Sequence, residues 1–270
     1  MPGYRRDLRQ LERIRRHQMR QSSKRTAEDF RVEISDWGDI SKLVEHFSYF
    51  NGHAWLFRGV TNESHGLKPK IGREEARGVK RKGERVPYRL NDERAVLTMF
   101  KQQARAHLAQ TPRNELEWLA IAQHFGLPTR LLDWTDGLLV AIWFAVEEGG
   151  SKSHDSAIWV TKGVRVLDMD YSGEVLTLAE PYTYRPPHIN PRIQAQGSVF
   201  MVCPRPTDEL DLPFLKKIVI KRPAEFTIKK RLNACGINRR HLFPDLAGLS
   251  DHLAWMYKND WLAGYTQDKN

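Results

Sequence analysis

A short apolar run, GLLVAIWFAV at residues 137–146, constrains the fold of this chain more than any other feature. It places hydrophobic side chains on nearly every side of a helix, and it ends at Glu147 and Glu148. The run falls short of the roughly 18 residues that would span a bilayer. A helix that is apolar all round belongs inside a protein. We therefore predict that this helix, capped by Thr135 or Asp136, forms the centre of the core.

The segments around this run predict both helices and strands. NELEWLAIAQHFGLP predicts a helix that begins after Asn114 and ends at Gly126, and HAWLFRGV predicts the first strand. The link TRLLDWTD between the two helices is predicted to be non-helical. Later predicted strands are SAIWVTKG, EVLTLAE, GSVFMVC, LKKIVI and FTIKKRL, before a last helix in DLAGLSDHLAWMYK. Helices first and strands later indicate a single α+β domain over residues 27–270.

The positive charge of the chain is concentrated in two segments. The formal net charge is +10, and residues 1–26 hold nine Lys or Arg against two acids. Residues 68–94 hold ten basic residues against five acids. This distribution is typical of a protein that binds nucleic acid without sequence preference, with a tail that is partly disordered or forms a surface helix. The alternative is a solvated basic tail without a specific partner.

Several classes of protein are disfavoured by what the sequence lacks. The N-terminus is Arg-rich and has no apolar signal core, and no segment is long enough for a membrane span, so we expect a cytoplasmic protein without a membrane partner. Cys203 and Cys235 are expected to be reduced thiols. There is no Walker loop, dinucleotide glycine fingerprint or zinc spacing, and no metal is predicted.

Arg58 is the most unusual residue of the first predicted strand. It lies between Phe57 and Gly59 in the apolar stretch WLFRGV. A buried guanidinium is costly unless a negative group meets it. The sequence leaves two partners open, either a carboxylate such as Asp133 or Asp245, or the phosphate of a ligand.

Two motifs resemble a known family. FRG at 57–59 and QHFGLPTRLLDWTDGLLVAIWFA at 123–145 resemble the FRG domain family, and NPRIQAQGSVF at 190–200 and GINRRHLFPDLAGLSDHL at 236–253 are similar to its later motifs. The resemblance covers about residues 35–255. FRG domains are in turn similar to the ADP-ribosyltransferase fold, of which they look like distant relatives. The resemblance therefore implies an ADP-ribosyltransferase-like split β-sandwich with an N-terminal helical portion, which binds NAD in a cleft.

The resemblance implies that arginines hold the NAD pyrophosphate. Arg58 would make the main contact, because its planar fork suits phosphate, and Gly59 would let the backbone approach the ligand. Arg130 and Arg192 would add further phosphate contacts. Structural ion pairing is the alternative for Arg58, and a plain surface position is the alternative for Arg192.

Other residues of the second motif are candidates for the rest of NAD. Thr129 and Thr135 are expected to hydrogen-bond ribose hydroxyls or the nicotinamide amide, although Thr135 is equally suited to helix capping. Trp134 offers a stacking face. His124 is either a ligand contact or a structural histidine at a helix end.

The third motif departs from the transferase pattern at the catalytic position. The family often places a glutamate there, but this chain offers Gln194 and Gln196, and an amide supplies neither full negative charge nor a base. Gln196 could still bind a ribose hydroxyl. The acid would then come from Asp133, Asp136 or Asp245, although pairing with an arginine is the alternative for Asp133.

Two functions therefore remain open from the sequence. One is transfer of ADP-ribose from NAD to nucleic acid or protein, in toxin or phage-conflict biology. Its acceptor would be recruited by the basic tail and the 68–94 loop, and a protein inhibitor would keep a toxic activity silent. The other is a non-catalytic sensor that binds a nucleotide or nucleic acid.

Overall fold

The computed structural model describes residues 33–48, 55–78, 83–148, 153–187, 191–212 and 214–261. Within these ranges the chain has the predicted α+β architecture, with eight α-helices and one mixed sheet of seven strands. The basic tail at 1–26 lies outside the described residues. The basic 68–94 loop is described except for residues 79–82.

Helices and strands alternate along the chain, in contrast to the predicted order of helices first. The strands are β1 (Glu33–Ile34), β2 (Leu56–Val60), β3 (Leu131–Thr135), β4 (Ser156–Thr161), β5 (Tyr182–Tyr184), β6 (Ser198–Val202) and β7 (Leu215–Ile220). The helices are α1 (Trp37–Ser48), α2 (Leu90–Ala104), α3 (Glu115–His124), α4 (Leu138–Ala145), α5 (Pro191–Ala195), α6 (Arg222–Ala234), α7 (Arg239–Leu242) and α8 (Leu246–Lys258).

The sheet has the strand order β1-β7-β4-β2-β3-β6-β5. The β1–β7 pair is parallel and the other neighbours are antiparallel. β2 pairs with β4 along its whole length, from Leu56 to Val60. Within the described strands, however, β2 meets β3 at the single pair Phe57–Thr135. The sheet is therefore open between its two central strands beyond this pair.

Helix α4 covers the sheet as the apolar run predicts. Ala141, Ile142 and Ala145 are each at most 1% exposed, and they pack in one cluster with residues of β2, β4 and β7. Gly59 of β2 makes this packing close, because a Cβ built there would lie 2.1 Å from the carbonyl oxygen of Ala141. The glycine therefore serves the contact between helix and strand.

Two predicted strands and one predicted link have other structures. EVLTLAE contains only a 3₁₀ turn at Val175–Thr177, and FTIKKRL lies inside α6. In α6 the buried residues Ala224, Ile228 and Leu232 recur at helical spacing, and this periodicity outweighs the strand preference of Thr227 and Ile228. The link TRLLDWTD contains β3, because its apolar residues are buried by neighbouring elements on both faces of the sheet.

No helix among the described residues has the length and hydropathy needed to cross a bilayer. The same residues contain no group of three His, Cys, Asp or Glu side chains suited to a metal ion. Both cysteines are unpaired. Burial raises the pKa of the Cys203 thiol to about 12, so this thiol stays protonated at neutral pH.

Candidate functional site

A cleft of about 460 Å³ lies at the opening between β2 and β3. Residues of both strands line it, together with the C-terminal end of α3, helix α5, the start of β6 and the loop after β2. The volume falls in the range of about 300–1,000 Å³ that is usual for small-molecule sites. The cleft therefore depends on the local loss of pairing between the two central strands.

Arg58 lies in the wall of this cleft with an incomplete set of partners. Its Nη1 donates to the backbone oxygen of Asp133 at 2.6 Å and lies 3.9 Å from the carboxylate of Asp133. Its Nε is buried and has no acceptor among the described residues. Burial lowers the pKa of Arg58, the charge of Asp133 opposes this shift, and the nearby Arg73 adds to it. The guanidinium is thus held in place by one close hydrogen bond, while the exposed part of the side chain, 16% of its surface, meets the cleft.

Asp133 presents a carboxylate to the cleft, and a neighbouring amide positions it. Its side chain is 59% exposed, and one oxygen accepts from Nε2 of Gln123 at 3.0 Å. The same amide group donates to the backbone oxygen of Leu131 at 3.2 Å, while its oxygen accepts from the hydroxyl of Thr129. The end of α3 therefore orients the carboxylate on β3.

The lining of the cleft is strongly positive. Among the described residues, the lining contains four basic side chains, Arg58, Lys70, Arg73 and Arg192, and one carboxylate, that of Asp133. Lys70 Nζ donates to the backbone oxygen of Gly126 at 2.9 Å, and Arg73 Nε donates to the oxygen of Lys68 at 2.9 Å. Both basic side chains come from the loop that follows β2, so this loop forms part of the cleft.

Helix α5 brings Arg192 to another part of the wall. Its Nε lies 2.8 Å from a carboxylate oxygen of Asp245, which also caps α8 by accepting from the Gly248 amide. The guanidinium lies over the ring of Phe243, 5.2 Å from its centre.

Burial lowers the pKa of His124, and the charge of Arg192 adds to this shift. The lining imidazole is therefore mainly neutral at pH 7.

Gln196 also lines the cleft, and its groups connect three elements. Its backbone oxygen accepts from the hydroxyl of Thr135 at 2.7 Å, and its Nε2 donates to the oxygen of Leu242 at 3.0 Å. The hydroxyl of Thr135 accepts from the Gly137 amide at 3.0 Å, before the first turn of α4. The N-cap of α4 is Gly137 and no side chain caps this helix, so the predicted cap by Thr135 or Asp136 is wrong, and Thr135 instead joins the end of β3 to Gln196.

The predicted phosphate contact of Arg130 is corrected by the structure. Its side chain is 1% exposed and forms a two-point ion pair with Glu93, with N–O distances of 2.6 and 2.9 Å. It also donates to the oxygen of Leu176 and to the hydroxyl of Tyr88. Every nitrogen of this guanidinium has a protein acceptor, so Arg130 is a structural cation.

Three other predicted contacts are also revised. Thr129 is 2% exposed and its hydroxyl is bonded within the α3–β3 corner, so it does not reach a ribose. Gly59 makes room for α4, not primarily for a ligand. Trp134 is 2% exposed and packs among Leu56 and Met201, so its ring is not an open stacking face.

The structure therefore brings most of the predicted site residues together, but not all of them. Those that line the cleft are Arg58, Gly59, His124, Asp133, Trp134, Thr135, Arg192 and Gln196. Sequence reasoning missed Lys70, Arg73 and Gln123 as individual site residues. The excess of basic residues at 68–94 was the signal that could have identified the two cations. Gln123 gave no signal beyond its place in the long second motif.

Comparison with known sequences identifies one domain. The sequence model of the FRG domain matches residues 53–154, a span that includes β2, α2, α3, β3 and α4. Arg58, Arg73 and Asp133 lie inside the matched span, whereas Arg192 and Gln196 lie beyond it. Neither the curated proteins nor the solved structures gave a match to the chain. The expected resemblance to the FRG domain family is thus confirmed for residues 53–154.

Proposed function

We propose that the cleft binds a nucleotide through its phosphates, and that NAD is this nucleotide. The observation that carries the proposal is the partly exposed guanidinium of Arg58, which lines the cleft near a second cation, Arg73, and whose one hydrogen bond among the described residues runs from Nη1 to the backbone oxygen of Asp133. The planar fork of an arginine suits a phosphate group, and its charge strengthens the hydrogen bonds to phosphate oxygens. A small neutral ligand would leave Arg58, Lys70 and Arg73 with only the carboxylate of Asp133 in the lining.

The remaining lining suits the other parts of a nucleotide. Phe144 and Phe243, which are half-buried, contribute aromatic surface, and the carboxylate of Asp133 accepts hydrogen bonds from hydroxyl groups. The FRG match supports NAD in particular through the family's resemblance to the ADP-ribosyltransferase fold. The structure has one seven-stranded sheet that opens between β2 and β3, where the expected fold is a split β-sandwich with NAD in its cleft.

Transfer of ADP-ribose is the second candidate function, and Asp133 favours it. Breaking the bond between nicotinamide and ribose develops positive charge on the sugar, which a nearby carboxylate stabilises. Asp133 is the carboxylate that the described lining offers, whereas the amide of Gln196 already donates to Leu242. Nucleic acid or protein would be the acceptor, and toxin or phage-conflict biology would be the setting. If the carboxylate of Asp133 does not take part in catalysis, the function is that of a sensor that binds the nucleotide without transfer.

Binding is tested by isothermal titration of the full chain with NAD. We expect Arg73→Ala to weaken NAD binding by about tenfold or more, because a hydrogen bond to a charged group contributes about 1.5–3 kcal/mol. Arg58→Lys keeps the charge but loses the fork, and it should weaken binding in the same direction. Arg165→Ala is the matched control, because this arginine is 73% exposed and pairs with Glu180. Equal affinity in Arg73→Ala and wild type would contradict the proposal.

Chemistry is tested separately by the release of nicotinamide from labelled NAD, with DNA, RNA or lysate as acceptor. If transfer occurs, Asp133→Asn should reduce nicotinamide release by about 100-fold or more while NAD still binds. NAD binding without release by the wild type would support the sensor and exclude transfer. Neither binding nor release would remove NAD from the function of this cleft.

A further inference from the structure

An aromatic ring stands exposed beside the cleft. Phe125, which follows the last residue of α3, is 69% exposed. Its neighbours His124, Gly126 and Leu127 all line the cleft, so the ring lies at the edge of the opening. It contacts the ring of His124 edge-on, with 4.9 Å between centroids, and this contact leaves most of its surface open.

Two cations interact with the residues on either side of Phe125. The ammonium of Lys70 is hydrogen-bonded to the oxygen of Gly126, the residue directly after Phe125. Arg192 acts electrostatically on His124, the residue directly before it. Both cations also line the cleft, together with Arg58 and Arg73. The exposed ring is therefore next in the chain to residues that contact two basic side chains of the cleft, Lys70 and Arg192, the second of which also pairs with Asp245.

We infer that Phe125 is a stacking platform for a base of single-stranded nucleic acid, whose backbone phosphates contact Lys70 and Arg192. Proteins that hold single strands combine a positive groove with aromatic side chains on which bases stack. The inference rests on the proposed function, because it names the macromolecule that reaches the phosphate-binding cleft. The inference assigns the contact with nucleic acid to Phe125, Lys70 and Arg192, and it does not depend on the basic tail at residues 1–26.

The chemistry favours a single strand over other polyanions. The base faces of a duplex are covered by their neighbours in the stack, so a duplex cannot cover an exposed phenyl ring. An acidic protein would satisfy the cations but has no need of a flat apolar partner at this position. RNA and DNA single strands share the required base face and phosphate, and the experiment separates them.

The test measures fluorescence anisotropy of labelled oligo(dT), oligo(U) and a DNA duplex with the full chain, at about 200 mM salt to weaken non-specific binding. We expect Phe125→Ala to weaken single-strand binding by about fivefold to 100-fold, and Phe125→Trp to retain it. Duplex binding should change little. Tyr257→Ala is the matched control, because Tyr257 is 77% exposed on α8.

A photo-cross-link supplies a direct measurement. A single strand that contains 5-iodouracil should cross-link to Phe125, as mapped by mass spectrometry of the digested complex. Wild-type affinity in Phe125→Ala, an equal loss for duplex and single strand, or no oligonucleotide binding at all would overturn the inference. Tighter binding of oligo(dT) would identify single-stranded DNA as the ligand, and tighter binding of oligo(U) would identify single-stranded RNA. Either result supports the inference. NAD titration of the wild type runs in parallel, and its failure would refute the nucleotide proposal without altering the oligonucleotide result.

Discussion

Two arginines of this chain show how much a residue depends on its partners. Arg58 and Arg130 both lie in strongly apolar sequence, and both were expected to bind phosphate. Arg130 is matched by Glu93, Tyr88 and a backbone oxygen, so nothing is left for a ligand. Arg58 has one close acceptor, a distant carboxylate and one unsatisfied N–H. At the scale of one residue, incomplete satisfaction is what separates the arginine that we propose as a ligand contact from the structural one.

The buried pair predicts a large loss of stability when it is broken. Arg130→Met should lower the free energy of unfolding by about 3–5 kcal/mol, because Glu93 would be left buried without a counter-ion. Urea denaturation measures this change. Arg94→Ala is the control, on the same helix as Glu93. The ion pair between Arg94 and Glu174 is exposed and should contribute at most about 1 kcal/mol to stability.

The combined variant Arg130→Met with Glu93→Leu isolates the reason for the loss. It should recover part of the stability, because no uncompensated charge remains. A single Arg130→Met variant as stable as wild type would show that this ion pair does not hold α2 against β3.

The contact between α4 and β2 decides the architecture at the scale of elements. The helix is apolar on all sides, so its burial follows from the sequence. Its close approach to one strand requires Gly59, because a Cβ there would also lie 2.6 Å from the amide nitrogen of Ala145. Since β2 carries both Gly59 and Arg58, this contact also fixes the strand that forms one wall of the cleft.

Gly59→Ala tests this contact. The added methyl group would collide with helix backbone, which cannot move as a flexible side chain can, so we expect a loss of about 1–3 kcal/mol or more. Thermal unfolding monitored by circular dichroism measures it. Gly78→Ala is the matched control, because its Cβ would meet only a side-chain atom of Val86 at 4.0 Å. An unchanged melting temperature in Gly59→Ala would contradict the close packing.

Two histidines, the half-buried His124 and the buried His252, make the stability of the whole molecule depend on pH. His124 lines the cleft, and His252 is 4% exposed on α8. Burial is the main cause that lowers the pKa of both, and nearby cations lower it further. The folded state therefore resists protonation that the unfolded chain accepts at its ordinary pKa of about 6.5.

We expect the free energy of unfolding to fall as pH decreases below about 6.5. The unfolded state then binds more protons than the folded state, and each histidine contributes a slope of at most about 1.4 kcal/mol per pH unit. Urea denaturation between about pH 7.5 and pH 5 measures the slope. His124→Gln and His252→Gln should each flatten it, and His107→Gln is the control at an exposed position. If the slope were unchanged in both His124→Gln and His252→Gln, the pH dependence of stability would belong to other groups.

The sequence by itself determined the α+β class, the buried helix and the helix ends at Asn114 and Gly126. These features depend on the periodicity and local hydrogen bonding of neighbouring residues, which the sequence displays directly. Local preference was misleading where β-branched residues interrupted α6, because the buried face of that helix is decided by what packs against it.

Only the tertiary structure decided which polar residues share a cleft. Arg58 meets Asp133, and Arg192 meets Asp245, across large separations in the chain, while Arg130 turns to Glu93. Such pairings depend on strand order and on the loss of pairing between β2 and β3, neither of which periodicity encodes. The residue types needed to bind an anion are visible in the sequence. Which of them remain unsatisfied is set by long-range packing.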